Sequence, residues 1–391
     1  MGTFHPRRIA DVDVLRELDP NNLLTFLKAY AGYLTQRGFS LSTSTERDLD
    51  LDQLATLLLQ PTDQIDVELV EALVLLHELS TPNRFEKLCQ IAHVLNITVQ
   101  PDSSPADLAL AIWLSDPMQL RRMHAETLVL KPKAFHYFQS EQDAEGLFDI
   151  PDEARLTDIA SQMDVWFNNN MRGTGARVFA FDFPDEAKVY FLIRHGMPFK
   201  REGKIENGNS SAVCYRPEFH DVVIYDRIHN ELAISNKSQA KGERDMYAAV
   251  LGEKLFGHKD YFIARNKFTL EPLRTKGKEA LATSDFEGLE DAKLIELQVV
   301  HVSKVGDFRT RRSDDIFALL HENREPFPED GELRGAKLSV TFSGSKRPRM
   351  VAIAPPRKAN YDRNEDAHLL EAWLRKRGFA IEKQPDEGGE A

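Results

Sequence analysis

The chain predicts an α+β fold: an all-helical N-terminal domain, then an antiparallel, hairpin-rich α/β region, then a small basic C-terminal module. Three observations carry that expectation. Apolar residues recur at helical steps as far as about residue 138; from Val178 the pattern changes to short β-branched and aromatic runs; and beyond residue 304 arginine and lysine gather in an otherwise acidic chain. At 391 residues the chain is too long for one ordinary core, so the expected units are a helical domain at 1–138, an α+β domain at 152–303 and a basic helix-hairpin-helix module at 304–381. The acidic, glycine-rich tail at 382–391 is expected to be disordered.

In the first unit Leu23, Leu27, Tyr30 and Leu34 form one apolar stripe, stopped at Gly38, and Leu51, Leu54, Leu57 and Leu58 form a second, closed by Pro61. Asp66 is placed to cap a helix carrying Leu69, Leu73 and Leu76, while Ser104-Pro105 with Asp107 reads as cap, first-turn proline and first-turn acid. No fixed period repeats, so the unit is expected to be a bundle that meets a protein partner.

A helix through Ile159, Met163 and Phe167 precedes the change of period. Val178–Phe181 and Lys188–Ile193 are joined by a Pro-Asp turn and read as an antiparallel pair; Lys200–Ser211 reads as a long exposed loop. Asp221–Asp226 and Leu232–Ile234 read as a central hairpin, followed by a helix over Lys241–Phe256 that Gly257 ends. Further on, Leu338–Phe342 pairs with Met350–Ala354, and Asp366–Arg377 forms a last helix.

Composition narrows the function classes. No window approaches the roughly 18 apolar residues of a membrane helix, and Met1–Arg8 lacks the apolar stretch of a secretory signal, so the expected location is cytoplasmic, with no membrane partner. Two cysteines, Cys89 and Cys214, cannot supply a disulfide framework or a cysteine zinc site. A formal charge of −12 opposes nucleic-acid binding over the whole surface, leaving room for a local reversal of sign.

Two short stretches have catalytic counterparts. Arg194-His195-Gly196, after an apolar strand, resembles the opening motif of the histidine phosphatase superfamily; the resemblance implies His195 as a phosphorylated nucleophile and Arg194 as its phosphate clamp. Asp221 on one strand and Lys237 after the next resemble the PD-(D/E)xK nuclease core, which implies Mg2+ or Mn2+ held by carboxylates and a lysine that orients water. Ser235 stands where that pattern has its second acid, so Asp226 or Glu243 completes the set only if the fold brings one of them round. Gly173-Thr174-Gly175 has no following helix and lysine and is not a phosphate loop.

The leading expectation is therefore non-enzymatic and needs no cofactor. Arg309, Arg311 and Arg312, then Lys346, Arg347 and Arg349 at a hairpin tip, Arg357 and Lys358 after it, and Arg375, Lys376 and Arg377 in the last helix form a candidate DNA- or RNA-binding module, with Tyr361 and Phe379 available for stacking. The expected role is a nucleic-acid-associated subunit of a larger prokaryotic assembly, in antiviral defence or mobile-element biology. It requires those cations to share a face and to be free of internal carboxylates.

Overall fold

The computed structural model describes residues 4–41, 49–142, 148–206, 208–237, 240–301, 306–363 and 366–381. The chain is α+β and divides into two compact units, 1–127 and 128–391; the expected tail at 382–391 lies outside the described residues.

The first unit is helical: α1 (Val12–Glu17), α2 (Pro20–Ala29), α3 (Ala31–Gln36), α4 (Leu51–Leu59), α5 (Val67–Leu79), α6 (Phe85–Val94), α7 (Pro105–Ser115) and α8 (Pro117–Val129), which runs up to the boundary. Short polar side chains start most of these helices by accepting first-turn amides, as Asp19, Asp50, Asp66 and Ser104 do. Helices α5 and α7 bury residues nearly all round, including Leu69, Leu73, Leu76, Leu108 and Ile112, and so form the centre of the bundle. None of the described helices is long and apolar enough to cross a membrane.

The second unit contains β1 (Ala134–Gln139), α9 (Glu153–Asn169), β2 (Arg177–Phe183), β3 (Lys188–Gly196), β4 (Lys200–Glu206), β5 (Asn209–Tyr215), β6 (Glu218–Asp226), β7 (Glu231–Ser235), α10 (Glu243–Phe256), α11 (Glu271–Thr275), β8 (Leu289–His301), β9 (Asp307–Arg312), α12 (Ile316–Asn323), β10 (Glu332–Phe342), β11 (Arg349–Ala354), β12 (Lys358–Asn360) and α13 (Ala367–Arg377). Ten strands form one antiparallel sheet in the order β2-β3-β6-β7-β1-β12-β11-β10-β8-β9. Helices α9 and α10 share a core with one face of β3, β6 and β7, built from Ile159, Met163, Phe167, Val223, Tyr225, Ile234, Tyr247 and Leu251.

Two sequence expectations change. Ala134–Gln139 is a strand in the middle of the sheet, paired with β7 and β12, and the helical unit stops before it; a six-residue run whose last three positions are all buried is too short for periodicity to separate strand from helix. Lys200–Ser211 belongs to the β4–β5 hairpin, not to a loop; both strands are largely solvent-exposed, so no apolar alternation marks them. The strands on either side of the expected boundary between the second and third units share one sheet, because β8 pairs with β10 and β9.

Candidate functional site

The strand ends of β3, β6 and β7 meet the start of α10 in a buried cluster of charges. His195 on β3 is 3% exposed, Asp221 on β6 1% and Glu243 at the start of α10 0%. Alternation aims His195 and Asp221 at the helices, and Phe167 of α9 stacks on the imidazole at 4.5 Å between centroids. His195 Nε2 lies 3.0 Å from Asp221 Oδ2, and its Nδ1 2.9 Å from the Gly196 carbonyl oxygen. Tyr247 donates to Asp221 Oδ2 at 2.8 Å, and burial together with the Asp221 and Glu243 charges drives its phenol well above the ordinary range. Arg172, itself buried, forms an ion pair with Glu243, and Asn236 donates to the other Glu243 oxygen at 2.7 Å. Gly196 is required here: a Cβ would sit 2.5 Å from the Arg172 carbonyl oxygen.

His195, Asp221 and Glu243 present ligand atoms within 4.8 Å of one another, a spacing that a metal ion could bridge. The rest of the cluster does not fit one. The Arg172 guanidinium already rests on Glu243, so a divalent ion would meet a fixed positive charge in a buried setting. Both imidazole nitrogens already face oxygens of the cluster, those of the Gly196 carbonyl and of Asp221. Asp221 Oδ1 is buried without a partner among the described residues; it is the one discordant atom.

Neither catalytic resemblance is assembled. The register pairs Val222 with Ser235, so Ser235 projects from the face opposite Asp221, and an acid there would not reach it. Lys237 Nζ lies 5.1 Å from the centroid of the Phe219 ring. Glu243 does come round to Asp221, as the nuclease pattern would need, but arrives with Arg172 attached. Arg194 and His195 point to opposite faces of β3; Arg194 is partly exposed beside Glu218, whereas His195 is sealed beneath Phe167.

The basic residues divide in two. Arg309 pairs with Asp307, Arg311 with Glu325, Arg312 with Glu296, Arg349 with Asp366, and Lys376 and Arg377 with Asp285. Lys346, Arg347, Arg357, Lys358 and Arg375 make no ion pair among the described residues. Arg375 lines a cavity of about 30 Å³ on the other face of the sheet, where Lys188 and Arg363 are held near Glu371 and Tyr137. The proposed stacking rings are unavailable, Tyr361 and Phe379 being buried.

Arg357 and Lys358 meet cations from elsewhere in the chain. Register places Lys358 beside His136, on the face that carries α10. A cavity of about 320 Å³ opens there, lined by His136, Phe138, Lys241, Arg244, Asp245 and Arg357, with Ala240 and Gly242 completing its wall. Burial, then the charges of Arg244, Lys358 and Arg357, push the His136 imidazole down to about 4. Burial and Arg357 likewise lower Arg244 against the opposing pull of Glu243. Two contacts fix the lining: Arg357 lies over the Phe138 ring at 5.5 Å, and Arg244 Nε donates to Asn236 Oδ1 at 2.7 Å. The buried cluster thus holds one wall of the cavity through Asn236. Gly242 caps α10 with φ +83° and no side-chain hydrogen bond, unlike the Asp and Ser caps of other helices.

Lys241 and Arg244 were not singled out from the sequence as cations of the site. They lie more than a hundred residues from Arg357, and only the pairing of β1 with both β7 and β12 brings the two segments together. No protein-family model matches this chain, and no curated protein matches its sequence.

Proposed function

We propose that this protein is a cytoplasmic, non-enzymatic subunit of a larger, prokaryotic assembly that binds DNA or RNA through the cationic cavity between β1, β12 and the start of α10. The observation that carries this reading is the convergence of Lys241, Arg244, Arg357 and Lys358 on one face, in a chain of formal charge −12. Like charges held together without a carboxylate to each are costly unless an anion joins them, and phosphate is the anion that arginine and lysine recognise best. The hairpin-tip residues Lys346 and Arg347, at the far end of β11 from Lys358, are a separate second contact in this proposal; Arg309, Arg311, Arg312, Arg349 and Arg377 serve internal ion pairs instead. The helical unit is assigned to a protein partner. Host defence or mobile-element biology is the proposed setting.

Salt-dependent binding tests it. Fluorescence anisotropy with single- and double-stranded DNA and RNA should give an affinity that falls as salt rises, and Arg357→Glu with Lys358→Glu should weaken it and flatten the slope by about two. Unchanged binding in that double variant would remove this surface from the proposal.

A further inference from the structure

This inference deepens the nucleic-acid reading and rests on it. We infer that the cavity lined by Lys241, Arg244 and Arg357 takes a terminal phosphate, a phosphomonoester at an oligonucleotide end or on a free nucleotide, in preference to the internal diesters of a strand.

Shape is the first reason. An internal diester has chain on both sides and needs an open groove, whereas this site is a concave pocket of about 320 Å³, at the lower end of small-ligand sites. A compact terminal group fills such a half-open concavity more completely than a strand that continues on both sides. Charge is the second reason. In the lining, Lys241, Arg244 and Arg357 bring three formal positive charges and Asp245 one negative, while His136, titrating near 4, is neutral at physiological pH; three minus one leaves two, and Lys358 beside His136 adds to that excess. A phosphomonoester carries about −1.5 to −2 at neutral pH and so matches that excess, whereas a diester carries a single charge. Two of the three donors are also fixed in advance. Arg244 is held by Asn236 and Arg357 by the Phe138 face, so little side-chain freedom is lost on binding.

The test uses the full chain and one oligonucleotide in two forms, 5′-phosphorylated and 5′-hydroxyl, labelled at the 3′ end, with a nucleoside monophosphate and inorganic phosphate as competitors. The phosphorylated form is expected to bind about tenfold more tightly, the size of one added set of charge-assisted hydrogen bonds, and Arg357→Ala is expected to erase the difference. Lys241→Ala, on an exposed side chain, repeats the test where folding is not at risk. NMR of His136 gives an independent readout: its titration should move upward when phosphate enters.

Equal affinity for the two ends, with salt-sensitive binding retained, overturns the terminal-phosphate inference and leaves nucleic-acid binding standing. Binding of the monophosphate with no affinity for either oligonucleotide supports the phosphate pocket and overturns nucleic acid as its source. Binding of none of these probes overturns both.

Discussion

Two groups of charges sit on the same face of one sheet, linked through Arg244 and Asn236, and they obey opposite rules. In the cluster of Arg172, His195, Asp221 and Glu243 the ionic groups are buried and paired. In the neighbouring cavity Lys241 and Arg357 have no carboxylate partner among the described residues, and the pocket is open to solvent. The residue types in the first resemble a catalytic site more closely than those in the second. Compensation of charge, not residue identity, separates the closed brace from the cavity proposed to take a ligand.

The largest expected effect would break the brace. Glu243→Ala removes one partner and leaves the Arg172 guanidinium buried without a counter-charge, a change that costs about 3–5 kcal/mol. Urea unfolding measures it, and a loss below about 1 kcal/mol would show that the cluster is not the closed ion network described above. Next comes the cavity. Arg357→Glu with Lys358→Glu should lower oligonucleotide affinity by roughly tenfold to a hundredfold while the urea midpoint stays close to the parent's, since substitutions away from buried features shift stability by about 0.5 kcal/mol or less. A comparable fall in the midpoint would mean that the two regions are not distinct.

A smaller effect probes the connection between them. Asn236 donates to Glu243 and accepts from Arg244, so Asn236→Ala should free Arg244 without removing its charge. The expected result is an affinity loss of about threefold to fivefold with an unchanged salt slope, because the number of cations is the same and only their order is reduced. A changed slope would assign Asn236 a direct part in phosphate contact.

How legible these regions were follows from the physics of each. The hairpins β2–β3, β6–β7 and β10–β11 and the helix α10 were readable because each has a buried face that imposes period on the sequence. Strand β1 and the β4–β5 hairpin were not, the first being too short and the second lacking an apolar face. Asp221 and His195 were found as chemical candidates, yet nothing local announces that Phe167 covers one and Tyr247 holds the other. The density of basic residues near the C-terminus was visible, but which arginines meet internal carboxylates depends on pairings as distant as Arg312 with Glu296. The cavity was invisible for the same reason: its walls come from three segments, and only the sheet brings them together.

The finest test of the contrast concerns His136, the one titratable lining group uncharged at neutral pH. Arg244 on α10 and Arg357 and Lys358 beside β1 act with burial to bring it down to about 4, and Asp245 is the opposing acid in the same lining. A free histidine takes up its proton near about 6.5, so between that pH and about 4 the unfolded chain holds more protons at this position than the folded one. Stability from this group therefore rises with pH across the window, is complete above about 6.5, and is lost as the pH falls toward 4. Because the ring is only half-buried, solvent screens much of the effect, and the comparison is one of slopes between the parent and His136→Gln. The parent should lose stability more steeply over that interval, and a saturating terminal phosphate should reduce the difference, since an anion offsets the cations' part in the depressed titration and leaves that of burial. Parallel slopes with and without phosphate would show that the cations around His136 are already neutralised from within, and the cavity would then belong with the brace.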